Sequence, residues 1–298
     1  SGPAHMRAPE FAAYIGPARL YPELWRLALG LLLIAFVYAG FFAIMLVGLY
    51  PIVGPIQYFG WILKLRQPAE PWPTVFVLIS FVGLMLGPLI AAPACHFRGP
   101  GTLFGPLDET VRSFALTLAV LLPVYAVMLG IGWLIEPPVV NLPLDTWLRF
   151  LPLALPLVLI QTTAEELIFR GYLQQQLAVR FAARWVWMGL PALLFTSLHW
   201  NPIAGTNIWL ILLVTLAYAL IAADLTERTG SLGAAIGLHF VNNVAALLLI
   251  ATGGTITGLS LYVTPYDVSD MGGLPIGLAV DAVLLFIVWR LLRAVLTR

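Results

Sequence analysis

Residues 162–172 read TTAEELIFRGY and set two adjacent carboxylates and a guanidinium inside an oily chain. The fifteen residues before Glu165, FLPLALPLVLIQTTA, carry no charge. Glu166 and Arg170 are four apart, so on a helix they share a face and can pair. Glu165 points about 100° away around the same helix. It is left without a fixed counter-cation and is free to exchange a proton, as a general base must. Three further polar side chains stand in later apolar stretches: His199, and then His239 and Asn243, again at i,i+4 spacing. A carboxylate with an imidazole can activate water, and an imidazole with a carboxamide can stabilise an oxyanion. Together these are the parts of water-mediated acyl hydrolysis. Taken singly, each has a plainer reading: either histidine as a hydrogen-bonded core residue, and Glu166–Arg170 as a structural pair. The second carboxylate and the second histidine tip the balance towards chemistry.

Hydropathy says what must position these groups. The 298 residues are 61% hydrophobic and 10% charged, against about 25% charged in a soluble domain, and mean hydropathy is +0.95. The composition is that of a polytopic membrane protein whose environment is the lipid bilayer. A net charge of +1 argues against a nucleic-acid partner. The single cysteine, Cys95, allows neither an internal disulfide nor a cysteine metal cluster. The opening SGPAHM, residues 1–6, reads as an expression scar and is set aside with His5, leaving 7–298 as one membrane-embedded domain.

A bilayer core needs roughly 20 apolar residues per helix. Stretches at about 25–50, 73–95, 112–135, 146–178, 185–200, 207–225, 231–251 and 274–296 meet that need, the fifth being short. The expected fold is therefore all-α, a bundle of about eight transmembrane helices. The fourth stretch is longer than a bilayer is thick, so its end, GYLQQQLAVR, is expected to emerge into water. The glycine-rich connection from Thr252 to Gly273 reads as a flexible loop. Segment 55–66 is mildly amphipathic and suits the membrane surface. Eight helices put both termini on one side, with Arg7, Arg19, Arg26, Arg98, Arg112, Arg180, Arg184, Arg228, Arg290, Arg293 and Arg298. The other side keeps Lys64, Arg66 and Arg149. That imbalance predicts cytoplasmic termini. Glu165 lies fifteen residues before Arg180 and His199 fifteen after Arg184, about 22 Å in each case. Asn243 is twelve residues past Ser231, about 18 Å. The polar groups can therefore share one depth.

The motifs EExxxR (Glu165, Glu166, Arg170), FxxxH (Phe195, His199) and HxxxN (His239, Asn243), in that order on successive apolar stretches, resemble the CPBP intramembrane protease family, also called the CAAX protease and bacteriocin-processing or Abi family. The likeness covers about residues 146–251. It implies a water-accessible cavity and peptide-bond hydrolysis in a membrane-delivered peptide or protein substrate. By position it makes Glu165 the base with His199 as its partner, and His239 and Asn243 the oxyanion-stabilising pair. Glu166 and Arg170 then support the site, and Phe195 packs against it and helps to place His199. No cofactor and no metal are expected. There is no HExxH, in which two ligands and a base share one helical face. A zinc-dependent version of the same protease is the alternative, since two histidines and two glutamates could bind one. Two further alternatives are an idle CPBP-like partner or immunity protein and a proton-coupled transporter. The intact motifs weigh against the first, and the lack of repeats weighs against the second. The absence of a sorting motif or large loop leans to a prokaryotic inner membrane. Nothing in the sequence fixes an oligomeric state.

Overall fold

A computed structural model describes residues 8–297. The SGPAHM segment, and Arg7 and Arg298 of the charge argument, lie outside the described residues. Each of the eight expected stretches is helical. The chain runs through a short α1 (Pro9–Ile15), α2 (Leu24–Lys64), α3 (Pro71–His96), α4 (Leu107–Ile135), α5 (Leu144–Ala178), α6 (Trp185–Ser197), α7 (Ile208–Thr229), α8 (Gly233–Leu249) and α9 (Gly273–Leu296). Six are long and apolar enough to cross a membrane: α2, α3, α4, α5, α7 together with the turn before it, and α9. Helices α6 and α8 are shorter. The protein is a mostly helical, multi-pass membrane protein.

Local chemistry explains the irregularities. Pro51 and Pro55 each remove a backbone N–H from α2, and between them Gly54 turns to φ +80, a conformation open chiefly to glycine. The helix breaks direction there, which separates segment 55–64 from the span before it. Helix α8 carries the run GAAIG near its start. Small side chains let neighbouring backbones approach, as at Gly233 against the Thr110 carbonyl. Accordingly α8 is the central helix, packed on α4, α5 and α7, while α3 covers α5, α2 covers α3, and α9 lies on α7 and α4.

Two expectations change. First, GYLQQQLAVR does not emerge into water, since residues 171–178 are buried. Helix α1 and the turn at 100–103 cover them, and glutamine amides make the joins. Gln175 Nε2 donates to the carbonyls of Tyr14 (3.0 Å) and Thr102 (2.8 Å). Gln174 donates to Ala223 O, and Gln176 accepts from Arg98. Tyr14 adds a hydroxyl bond to Leu103 O at 2.7 Å. The polar triplet reads as a solvated end because its partners come from segments distant in sequence. Second, the bundle is not wholly helical. A three-stranded sheet, ordered β1 (Val139–Val140), β3 (Tyr262–Asp267), β2 (Ile250–Gly253), gathers the glycine-rich connection. β1 is antiparallel and β2 parallel to β3. α8 passes straight into β2.

The backbone of Glu10 in α1 abuts Gly230 at the end of α7. The α9 residue Trp289 donates to Asp224 near that same end, at 2.8 Å. Both described chain ends thus share one side, here the terminal side, with the sheet at the other.

Truncating Gln175 to alanine removes the donor of two buried carbonyls. It should lower unfolding free energy by about 1–3 kcal/mol, read as a lower melting temperature in detergent. An unchanged melting point would mean that the amide does not hold α1 down.

Candidate active site

The site lies where α5, α7 and α8 meet. His239 is ten residues below the end of α8 at Leu249, and Tyr218 ten below the start of α7 at Ile208. Both are therefore about 15 Å from the sheet side. Immediately after Glu166, α5 widens into a π-helical segment, Leu167–Leu173. Such segments occur mostly as single turns and frequently at functional sites.

The two glutamates have different surroundings. Glu166 is wholly buried, and both its oxygens are engaged. Oε2 accepts from Arg170 Nε at 2.6 Å. Oε1 accepts from Arg170 Nη2 at 2.6 Å, the Tyr218 hydroxyl at 2.9 Å and His239 Nδ1 at 2.9 Å. Three donors converge on Oε1 and one on Oε2, so the buried charge is answered from three helices. The spacing argument for a buried Glu166–Arg170 pair thus holds in the structure. The Arg170 guanidinium carbon lies 4.4 Å from the centre of the Phe195 ring. The arginine therefore has a carboxylate at its edge and an aromatic face below it.

Glu165 keeps 16% of its side chain accessible, and its Oε2 lies 3.4 Å from His239 Nε2. Because Glu166 only accepts, His239 Nδ1 carries a hydrogen. Nε2 is then the ring nitrogen that faces Glu165.

A second rung stands one turn away. Asn243 Nδ2 donates to Gln161 Oε1 at 3.2 Å. Gln161 precedes Glu165 by four and Asn243 follows His239 by four, so α5 and α8 face each other through two polar rungs. On its other flank α8 meets α4, where Tyr125 donates to Asn242 Oδ1 at 3.1 Å.

His199 departs from its expected place. No hydrogen bond or ion pair joins it to Glu165 among the described residues, and the carboxylate faces His239 instead. His199 is exposed at the end of α6. Its Nδ1 donates to Phe195 O at 2.7 Å, which leaves Nε2 bare. The physical reason is local: α6 ends at Ser197, so the histidine side chain turns back on the carbonyl one turn earlier. Phe195 packs as expected, with ring centres 4.5 Å from His199 and 6.1 Å from His239.

Sequence reading missed Tyr218 and Gln161. Gln161 carries a usable signal, being a polar side chain four residues from Glu165 within an apolar run. Tyr218 carries none, since a tyrosine in an apolar span reads equally well as an interfacial anchor. Among the described residues no three His, Cys, Asp or Glu side chains converge as a metal cage.

The unequal surroundings predict unequal substitutions. Glu166→Gln strands a buried guanidinium and should cost about 3–5 kcal/mol, seen as poor folding or a sharply lowered melting temperature. Glu165→Gln, at the accessible carboxylate, should shift stability by about 1 kcal/mol or less. Equal losses would contradict the division.

Searches of curated proteins and of solved structures returned no match. A family model does match. Residues 147–245, about a third of the chain, fit the one described as type II CAAX prenyl endopeptidase Rce1-like. The matched span holds all three motifs, both glutamates and both site histidines, and the family is one of proteases. Residues 147–245 are therefore similar to the Rce1-like CAAX prenyl endopeptidases, in a multi-pass helical membrane protein.

Proposed function

We propose that the protein is an intramembrane endopeptidase that hydrolyses a peptide bond in a membrane-delivered protein or peptide with water activated at Glu165. The observation that carries this reading is the contact of Glu165 with His239 Nε2 at 3.4 Å, with Glu166 fixing the other imidazole nitrogen. A carboxylate beside an imidazole can take a proton from water and return it later. Water attacks the scissile carbonyl carbon as Glu165 removes its proton. The C–O bond forms, and the carbonyl oxygen becomes an oxyanion. Asn243 has two N–H groups. One is held by Gln161, which orients the carboxamide, and the other is available to the oxyanion. The Glu165–His239 pair then delivers the proton to the departing amine as the C–N bond breaks. His199, with Nε2 bare, serves as an acceptor that orients the water.

The Arg170 guanidinium against Glu166 supports a metal-free mechanism, because a cation already holds that carboxylate. In orientation, we read the arginine-rich terminal side as cytoplasmic, in a prokaryotic inner membrane. The described residues behind this are Arg19, Arg26, Arg98, Arg112, Arg180, Arg184, Arg228, Arg290 and Arg293, against Lys64, Arg66 and Arg149.

Cleavage of a membrane peptide by the purified protein in liposomes is the test. Glu165→Gln and His239→Ala should each lower kcat by about 10²–10⁴-fold. Asn243→Ala should lower it by about 10²–10³-fold with little change in KM. Activity should survive chelators. Restoration of chelated protein by zinc would establish the metal-dependent version, and intact cleavage in Glu165→Gln would remove the proposed base.

A further inference from the structure

Asp281 is an ionisable residue within a membrane-crossing helix that the reaction above does not use. On α9 the residues Leu274, Leu284, Leu285, Val288, Leu292 and Leu296 are buried. Asp281 falls on the same inward stripe, seven residues after Leu274 and seven before Val288, two turns each way. Its side chain is nevertheless exposed. Residues 279–283 are all exposed, so packing around the inward-stripe Asp281 is loose.

Helix α8 loosens along its length as well. Residues 229–239 are all buried, but Asn242 to Leu247 are only partly so, and Ala246 is exposed. Ala246 lies seven residues beyond His239 and three beyond Asn243, which is the face that carries the site. Packing therefore loosens from the site towards the sheet side, while the glutamine layer and α1 close the terminal side. Asp281 is eight residues from the start of α9, about 12 Å down, close to the level of Asn242. Tyr125 on α4, a helix that α9 lies against, bonds Asn242 at 3.1 Å. Tyr266 lies along α9 over Gly273 and Gly277, one turn above Asp281. Among the described residues no ion pair reaches Asp281. An unpaired carboxylate at membrane depth is costly and marks a substrate or ion path.

We propose that Asp281 is the cation-accepting subsite of an entry hollow, taking a lysine or arginine side chain of the segment that approaches from the sheet side. The idea rests on the proteolytic reading for its substrate, but not for its existence.

Labelling tests it without any need for cleavage. In a Cys95→Ala background, Ala246→Cys, with Ala245→Cys as a second reporter, is exposed in liposomes to impermeant cationic and anionic methanethiosulfonates at pH 8. Ser269→Cys marks the sheet side and Thr297→Cys the terminal side. The hollow reporters should react from the side of Ser269→Cys, and about tenfold or more faster with the cationic reagent. Asp281→Asn should bring that ratio close to the one at Ser269→Cys, and Asp281→Glu should keep it. Labelling from the Thr297→Cys side, or a ratio indifferent to Asp281→Asn, overturns the subsite. A protein that keeps the ratio yet cleaves nothing supports the subsite and sinks only the proteolytic reading. In cleavage assays, a lysine-to-glutamine exchange near the scissile bond should lower kcat/KM about tenfold in the unmodified protein and leave Asp281→Asn unaffected. Equal cutting of both peptides by the unmodified protein removes Asp281 as a specificity residue.

Discussion

The fold depends on one requirement: a carboxylate charge buried in an oily interior must be answered by donors. Glu166 meets it through three helices at once, with Arg170 from α5, Tyr218 from α7 and His239 from α8. That convergence fixes the relative rotation of these helices more tightly than apolar packing could, because a leucine tolerates small rotations and a four-donor carboxylate does not. It also fixes the His239 tautomer. Glu165, one residue away, therefore meets a defined nitrogen. The structural glutamate and the reactive one depend on each other through a single imidazole.

Much of this was legible in the sequence, for reasons that differ by residue. Helical periodicity separates Glu165 from Glu166 because 100° per residue is a geometric constant. The pairing with Arg170 follows from the same constant. The rungs between α5 and α8 are not readable in that way. They need the two helices to be adjacent and antiparallel, which only packing decides. The same limit explains His199. Its depth is computable from residue counts, but its direction depends on where α6 stops. The glutamine triplet and the sheet show the rule from the other side: both are built from segments far apart in the chain, so local composition suggested water and flexibility.

The bundle is also unequal from end to end. Towards the terminal side, α5 and α8 are enclosed on every face, and small residues on α8 allow the tight approach. Towards the sheet side the packing loosens around Asn242 to Leu247, and polar groups line the space. Hydrolysis inside a bilayer needs both conditions. A rigid floor holds the reacting groups in register, and an open upper half admits water and chain.

The floor is closed by amides. Glutamine side chains do not titrate, and their bonds to the carbonyls of Tyr14, Thr102 and Ala223 are short-range and inside the protein, where dissolved ions do not screen them. These amide joins are thus indifferent to acidity and ionic strength. The opposite mouth, with a lone carboxylate on its wall, responds to both. Changes in the medium bathing the sheet side act on that carboxylate, while the amide joins of the terminal side do not titrate.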